Sequence, residues 1–176
     1  MVETLETQKN SSLCKGFEPI IPEDARLLIL GTMPSVESIN QSFYYAHPRN
    51  AFWPIMQRLL KQELSTESDK RSALQNAGIF LWDVLSSCER KGSLDSAIKQ
   101  PEANDFNWVF RQNPNIKTVV FNGKAAEALF KKKVNKKQNL PDDLIYLSLP
   151  STSPANARLS FEDKVLLWQE KLGDLL

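Results

Sequence analysis

Cysteine and histidine are scarce in this 176-residue chain, which has two cysteines, Cys14 and Cys88, and a single histidine, His47. Two widely spaced cysteines cannot form a disulfide framework, a structural zinc site or an iron–sulfur cluster held by cysteines alone. The histidine has no neighbour at a spacing typical of metal ligands. We therefore expect both cysteines to be reduced, and we expect no metal and no cofactor.

Long apolar runs and an excess of one charge are also missing. No run approaches the roughly 20 residues that span a bilayer, and the polar start MVETLETQKNSS lacks the layout of a secretory signal. We therefore expect a cytoplasmic protein that does not contact a membrane. The net charge is only +1, and the basic run Lys131, Lys132, Lys133, Lys136 and Lys137 is either a solvated surface or a phosphate contact.

Four short apolar segments predict β-strands, at residues 26–30, 78–85, 117–121 and 144–149. Three of them are almost continuously hydrophobic, which is typical of strands that are covered on both faces. Their spacing along the chain leaves room for helices between them.

Helical periodicity lies between and after these segments. Apolar residues recur at i, i+3, i+4 and i+7 over residues 52–60, and further helices are predicted over 125–130 and after Ser160, which forms a capping-box pattern with Asp163. Strands separated by helices predict an α/β fold, a three-layer α/β/α sandwich with a central, mostly parallel four-stranded sheet. We assign residues 1–176 to a single domain, with residues 1–20 as a peripheral N-terminal segment.

A polar motif lies at the end of each predicted strand. GTMPS begins at Gly31, Asp83 lies near the end of the second strand, Asn122 ends the third and PSTSPANA begins at Pro150. Ligands of parallel sheets bind beyond the carboxyl ends of the strands. The four motifs are therefore predicted to form one site.

The segment YYAHPRNAFWP, residues 44–54, combines four aromatic residues with the only histidine, an arginine and an asparagine. Aromatic rings can sandwich an extruded nucleobase, and a buried amide can orient a water molecule or bind a base edge. This mixture is unusual for a purely structural loop.

The motifs GTMPS, YYAHPRNAFWPIM, WDVL, FNG and PSTSPANA, in this order, resemble the uracil-DNA glycosylase superfamily, and most closely its hypoxanthine-DNA (deoxyinosine) glycosylase branch. The resemblance covers residues 27–157, and YAHPRNAFW is its most specific part. It implies a monofunctional DNA glycosylase of base excision repair. Such an enzyme flips a deaminated base, here hypoxanthine with uracil and xanthine as further candidates, and hydrolyses its glycosidic bond through an oxocarbenium-like state.

The resemblance implies that Asn50 is the catalytic residue. Most superfamily members carry Asp or Asn after the first strand to hold the attacking water, but this loop reads Gly31, Thr32, Met33, Pro34. Met33 cannot orient water, whereas the hypoxanthine branch has its catalytic asparagine in the PRN triplet. The alternative role of Asn50 is to cap the following helix, and the two roles compete for one side-chain oxygen.

Further residues are expected around the flipped base. Asp83 lies where many relatives carry a base-reading asparagine, so it either binds a base N–H, acts as a weak general base or caps a turn. Either Tyr45 or Phe52 is expected to stack on the base, and His47 is either a site residue or a structural hydrogen bonder. The predicted base-binding residues are Gly31, Thr32, Met33, Pro34, Tyr45, His47, Phe52, Asp83 and Asn122.

Residues 150–157 resemble the superfamily's second motif, a loop pressed into the minor groove, although an ordinary Ser/Pro turn is the alternative. The relatives begin this motif with a histidine that stabilises the leaving base. Leu149 stands here instead, so another group must supply that stabilisation. The predicted DNA-binding residues are Ser35, Ser38, Arg49, Ser151, Thr152, Ser153 and Asn156.

Other functions stay open at this point. One is a mismatch-specific uracil/thymine-DNA glycosylase, and another is a non-catalytic α/β module that binds nucleic acid. The chain lacks GxxxxGK[ST] and GxGxxG, which excludes the familiar phosphate-binding loops. Lys124 is the only lysine within the site motifs, so no Schiff-base lyase activity is expected. The expected partner is DNA containing a deaminated base, and the expected oligomeric state is a monomer.

Overall fold

A computed structural model describes residues 12–176 of the chain. Its strands and helices, in chain order, are β1 (Leu13–Lys15), β2 (Leu27–Gly31), α1 (Val36–Gln41), α2 (Phe52–Leu60), α3 (Glu67–Asn76), β3 (Ile79–Asp83), β4 (Leu85–Glu89), β5 (Lys99–Ala103), α4 (Phe106–Gln112), β6 (Thr118–Asn122), α5 (Lys124–Phe130), β7 (Ile145–Leu149) and α6 (Phe161–Leu172). A π-helical turn (Lys131–Asn135) and short 3₁₀ turns (Asp95–Ala97, Gly173–Leu175) complete the regular structure.

Four parallel strands form the central sheet in the order β3-β2-β6-β7. In the register of this sheet Leu27 pairs with both Ile79 and Thr118. Three crossovers join the four parallel strands, so all four carboxyl ends lie at the same edge of the sheet. The predicted four-stranded parallel sheet is confirmed.

Side chains of the central strands alternate between two hydrophobic cores. Leu27 and Ile29 pack with residues of α2, α3 and α6, whereas Leu28 and Leu30 pack with residues of α4 and α5. This alternation follows from the two-residue period of a strand. Because both faces are covered by helices, the predicted α/β/α sandwich is also confirmed.

The composition of residues 78–85 predicts a single strand, but the structure divides this segment between two strands. β3 ends at Asp83, and the N–H of Val84 donates a hydrogen bond to the Gly31 carbonyl (2.8 Å) as the chain turns. β4 then joins a second sheet, antiparallel and three-stranded, in the order β1-β4-β5. Continuous hydrophobicity cannot reveal this change of direction, because Val84 and Leu85 are buried like the apolar residues of β3.

The N-terminal segment contacts the rest of the fold over the described part of residues 1–20. β1 pairs with β4, and the buried Ile20 forms a bridge with Leu81 of the central sheet. Residues 12–20 are therefore part of the packed fold, while residues 1–11 lie outside the described residues. Cys14 and Cys88 face each other across β1 and β4, and both are free thiols.

Two predicted helix starts can be compared with the structure. The Ser160 side chain accepts a hydrogen bond from the Asp163 N–H, and Asp163 completes the capping box at the start of α6. α2 spans Phe52–Leu60, as the periodicity over residues 52–60 predicts. Within residues 12–176, none of the helices combines the length and apolarity needed to cross a membrane.

Candidate active site

A cavity of about 260 Å³ opens at the carboxyl edge of the parallel sheet. The loops that follow β2, β3, β6 and β7 surround it, together with the segment before α2. Most of the predicted site residues line this cavity, namely Gly31, Thr32, Met33, Pro34, Ser35, Ser38, Tyr45, His47, Asn50, Asp83, Asn122, Ser151, Thr152 and Ser153. The fold thus brings the strand-end motifs together, while the role of each residue stays a prediction.

Asn50 is half-buried in the wall of the cavity. Its Oδ1 accepts a hydrogen bond from the N–H of Phe52 (3.0 Å), so it caps the start of α2. An amide oxygen has two lone pairs, and the cap occupies one of them. The cap therefore leaves one lone pair of Oδ1 unoccupied and fixes the direction of the side chain, while the predicted binding of water by Asn50 stays a prediction.

His47 belongs to the same tight turn. Its Nδ1 accepts a hydrogen bond from the N–H of Arg49 (3.0 Å), and the His47 carbonyl accepts one from the N–H of Asn50 (2.9 Å). In neutral imidazole the nitrogen that accepts carries no proton, so this contact places the proton on Nε2. His47 therefore offers one N–H donor in addition to its structural role in the turn.

Asp83 and Tyr45 converge where β2 ends. A Cβ added to Gly31 would lie 2.6 Å from Asp83 Oδ1 and 2.6 Å from the Tyr45 hydroxyl oxygen. Only a glycine allows both groups to approach the strand so closely. The Tyr45 hydroxyl and Asp83 Oδ2 are buried and have no hydrogen-bond partner among residues 12–176. Such orphan polar groups are costly in a folded protein, and they indicate a site prepared for a ligand.

The conformation of Tyr45 is also unusual. Its φ angle is +52°, a left-handed value that is strained for a residue with a side chain. Its ring stacks on Phe52, with ring centroids 4.2 Å apart and planes 27° from parallel. Phe52 itself is fully buried and does not line the cavity. The prediction that Phe52 contacts the base is therefore corrected, because Phe52 supports Tyr45 from behind.

The burial of Asp83 changes its acid–base chemistry. Burial raises the pKa of Asp83 to about 7, the negative charge of Asp95 adds to this increase, and the positive charge of Arg90 opposes it. Burial likewise raises the pKa of the Tyr45 hydroxyl. Near neutral pH, Tyr45 is therefore a hydrogen-bond donor, and Asp83 exchanges between a carboxylic acid and a carboxylate.

Asn122 and Thr152 join the end of β6 to the loop after β7. The Asn122 amide donates to the Thr152 hydroxyl and accepts from the Thr152 N–H, both at 2.9 Å. Thr152 is only 1 % exposed, so it cannot reach a phosphate, and its predicted DNA contact is corrected. Asn122 lines the cavity, but this pairing already occupies both ends of its amide.

Three other predicted DNA-binding residues have different surroundings. Ser38 is buried, and its hydroxyl accepts a hydrogen bond from the N–H of Ala46 (3.1 Å), so it supports the 44–50 segment and does not contact DNA as predicted. Arg49 is exposed and lies outside the cavity lining. Asn156 also lies outside it, and its amide donates to the Ser151 carbonyl (3.1 Å).

Sequence patterns missed part of the cavity wall, which includes Phe17, Tyr44, Ser93, Leu94, Asp95, Pro154 and Ala155. Phe17 comes from the N-terminal segment, and residues 93–95 come from the connection between β4 and β5. The buried Arg90 behind this connection donates a hydrogen bond to the Pro34 carbonyl. No motif marks Phe17 or residues 93–95, because only the second sheet brings them to the cavity.

The described cavity wall contains neither a lysine nor a cluster of side chains that could hold a metal ion. Lys124 does not line the cavity. The Nζ of Lys164 donates a hydrogen bond to the backbone carbonyl of Ser153 (3.4 Å). Across residues 12–176, no three His, Cys, Asp or Glu side chains converge in a way that could hold a metal ion. The groups available for chemistry are therefore amide, carboxyl, phenol and imidazole.

The chain is similar to proteins of known family. Residues 18–171 match the model of the uracil DNA glycosylase superfamily. A hypoxanthine DNA glycosylase of Methanosarcina barkeri is 38% identical over 62% of this chain and 71% of its own length, and one of Methanosarcina acetivorans is 34% identical over 83% and 90%. The solution NMR structure of a candidate uracil DNA glycosylase from Methanosarcina acetivorans superposes with a TM-score of 0.75 at 31% identity, covering 93% of this chain and 98% of that one. The chain belongs to the uracil DNA glycosylase superfamily.

Proposed function

We propose that this chain is a monofunctional DNA glycosylase that removes hypoxanthine from DNA, with uracil and xanthine as further substrates. The names of the two Methanosarcina relatives support the reaction and the substrate class. The observation that carries the proposal is that Asn50, Tyr45 and Asp83 line one cavity. Two buried groups there, the Tyr45 hydroxyl and Asp83 Oδ2, have no hydrogen-bond partner among residues 12–176. We further propose that the protein acts as a monomer in the cytoplasm.

Asp83 and Tyr45 suit the edge that deaminated bases share. Deamination replaces an amino group beside a ring acceptor with a carbonyl beside a ring N–H. The Asp83 carboxylate accepts from that N–H, and the Tyr45 hydroxyl donates to that carbonyl. Adenine and cytosine present the opposite pattern, which would leave both protein groups unpaired at a cost of about 1–3 kcal/mol each. This pair therefore favours hypoxanthine, xanthine and uracil over adenine and cytosine, but not over guanine and thymine, which present the same carbonyl and N–H edge.

Asn50 positions the water that attacks the sugar. Its free lone pair accepts a hydrogen bond from the water, whose oxygen bonds to C1′ while the C1′–N bond breaks and its electron pair leaves with the base. An amide cannot take the proton, so the proton is lost to solvent after attack. The N–H of His47 and the hydroxyl of Tyr45 stabilise the departing base, which compensates for the leucine at position 149.

The first experiment measures base excision directly. Purified protein is incubated in EDTA with labelled duplexes that contain one deoxyinosine or one deoxyuridine, and alkali then cleaves abasic sites. We expect strand cleavage that requires alkali, and a loss of about 100-fold or more in Asn50→Ala. Asn50→Ser serves as the matched variant: serine is a favoured helix cap, but its shorter side chain lacks the amide oxygen that holds the water, so it separates loss of the cap from loss of water binding.

Each alternative outcome has a distinct meaning. Cleavage without alkali would contradict a monofunctional enzyme, and activity retained by Asn50→Ala would move catalysis to Asp83 or His47. Excision confined to G·U and G·T mismatches would favour a mismatch-specific uracil/thymine glycosylase. Lack of excision from either duplex would favour the non-catalytic nucleic-acid module.

Base discrimination is tested with Tyr45→Phe. The substitution removes the hydroxyl and keeps the ring that stacks on Phe52. We expect excision of hypoxanthine to fall about tenfold with little change in stability, because one hydrogen bond to the base is lost. Tyr146→Phe, on the exposed edge strand β7, is the control, and an equal loss in both variants would contradict the role of Tyr45.

A further inference from the structure

Lys164 is a buried lysine next to the cavity, and the proposed reaction leaves it without a role. It lies in the first turn of α6 and is only 5% exposed. Within residues 12–176 it forms no ion pair with an Asp or Glu side chain, and burial lowers the pKa of its amino group. A buried cation without an anionic partner destabilises a folded protein, and the helix dipole also disfavours a cation at this end of a helix.

The hydrogen bond that Lys164 makes does not account for its burial. Its Nζ donates to the Ser153 carbonyl at 3.4 Å, which is long for such a bond. The same carbonyl accepts from the N–H of Asn156 at 3.0 Å, so it is satisfied without the lysine. An ammonium group has three N–H donors, and the other two have no acceptor among residues 12–176. Lys164 is therefore a buried positive charge whose donors are largely unused.

A neutral side chain on the same helix holds the same loop. One helical turn after Lys164, the Trp168 Nε1 donates to the Pro150 carbonyl at 3.0 Å, and Trp168 is fully buried. α6 therefore fixes the loop after β7 with an uncharged group. This anchoring does not need the charge of Lys164, and a bound anion would give that charge the partner it lacks within residues 12–176.

The loop that Lys164 contacts offers hydrogen bonds to such an anion. The Ser151 and Ser153 hydroxyls accept from the N–H groups of Ser153 and Ala155, both at 3.2 Å. Each hydroxyl oxygen thus serves as an acceptor, and its own proton remains available to a phosphate oxygen. Both serines line the cavity, so the phosphate that they meet is the one next to the nucleotide whose base enters the cavity.

We propose that Lys164 is a positioning residue for DNA binding: its charge attracts the phosphate next to the flipped nucleotide to Ser151 and Ser153. The inference rests on the proposed glycosylase function. Lys164 is buried behind the loop and does not touch the phosphate, so it acts across the Ser153 residue that it contacts. Water and salt screen a buried charge less than a surface charge, so this lysine contributes more to phosphate binding than an exposed lysine does.

The test measures single-turnover excision of deoxyinosine from a duplex over a series of protein concentrations. Lys164→Met removes the charge and keeps a side chain of similar length. We expect the protein concentration that gives the half-maximal rate to rise about tenfold, because attraction to a phosphate is lost. The maximal rate should change by less than about threefold, because the charge acts on binding and not on the chemical step. The midpoint of thermal unfolding should not fall, because the substitution removes a buried unpaired charge.

Two further variants separate the charge from the hydrogen bond and from net charge. Lys164→Gln keeps an N–H donor for the Ser153 carbonyl but carries no charge, so it should behave like Lys164→Met. Lys171→Met removes an exposed charge from the same helix. Its half-maximal concentration should change by less than about twofold, because solvent screens an exposed charge.

Wild-type binding by Lys164→Gln would overturn the proposal, because the hydrogen bond and not the charge would then be responsible. A lower unfolding midpoint and a lower maximal rate, with an unchanged half-maximal concentration, would also overturn it and make Lys164 a structural residue. If the wild-type protein excises neither base, the proposed function fails, and fluorescence anisotropy with an undamaged duplex still tests Lys164. Weaker binding by Lys164→Met than by Lys171→Met supports the proposal, and equal binding contradicts it.

Discussion

Replacing Asp83 with asparagine removes a buried carboxyl group and leaves the shape of the site unchanged. The pKa of Asp83 is about 7 in the folded protein, against the ordinary 3.8. The folded state therefore holds the proton more tightly than the unfolded state does. The associated stability is fully present below pH 3.8 and is lost as the pH rises through 7.

A difference of about 3 pKa units corresponds to at most about 4 kcal/mol, because each unit corresponds to about 1.4 kcal/mol. Between pH 5 and pH 7, the free energy of unfolding of the wild type should fall by roughly 1 kcal/mol per pH unit from this group alone. Asp83→Asn has no such group. Its free energy of unfolding should change less over that interval and exceed the wild-type value at about pH 8.

Urea unfolding from about pH 5 to pH 8.5, followed by tryptophan fluorescence, measures this difference. Asp143→Asn is the control, because the ion pair with Lys117 lowers the pKa of that exposed carboxyl, which therefore does not titrate in this interval. Parallel pH profiles for the wild type and Asp83→Asn would refute the argument that burial raises the pKa of Asp83.

The remaining predictions concern the same site. Asn50→Ala should lower the free energy of unfolding by about 1 kcal/mol, because the Phe52 N–H loses its cap. Asn50→Asp keeps a capping oxygen and should leave the free energy of unfolding unchanged. Thermal unfolding of the two variants measures this difference. Gly31→Ala should abolish excision while the protein stays folded, because the added Cβ would lie 2.6 Å from Asp83 Oδ1. The excision assay measures the loss of activity, and circular dichroism measures whether the variant is folded. The positive charge of Arg90 lowers the pKa of Asp83, so Arg90→Gln should raise it. Because the Asp83 carboxylate is the form that accepts the base N–H, we expect excision to increase as the pH rises through that pKa, and to do so at a higher pH in Arg90→Gln; an unshifted pH–rate profile would contradict this.

The central sheet and its edge could be predicted from local pattern. Buried parallel strands are continuously apolar, so the apolar patterns at residues 26–30 and 117–121 predicted β2 and β6, each one residue early, and each pattern was followed by a polar motif. Parallel topology then required these motifs to meet at one edge, as the cavity confirms. The family followed from motif order, because YAHPRNAFW is specific enough to recognise.

The incorrect predictions share one physical cause. The burial of a side chain and its hydrogen-bond partners depend on residues that are distant in the sequence. Phe52 and Thr152 belong to motifs that look functional, yet the fold places both in the interior. Ser38 likewise became a support for a neighbouring segment. A side chain's exposure is set by what packs over it, and a motif does not contain that information.

The sequence alone determined the fold class, the family and the edge of the sheet where the site lies, because these depend on local periodicity and on motifs that are contiguous in the chain. Only the tertiary structure decided which polar groups remain unpaired, since the orphan atoms of Tyr45 and Asp83 and the raised pKa of Asp83 arise from burial. It also decided that residues 93–95 join the cavity wall, because the second sheet carries them there. Long-range packing produces those properties, and no stretch of sequence encodes them by itself.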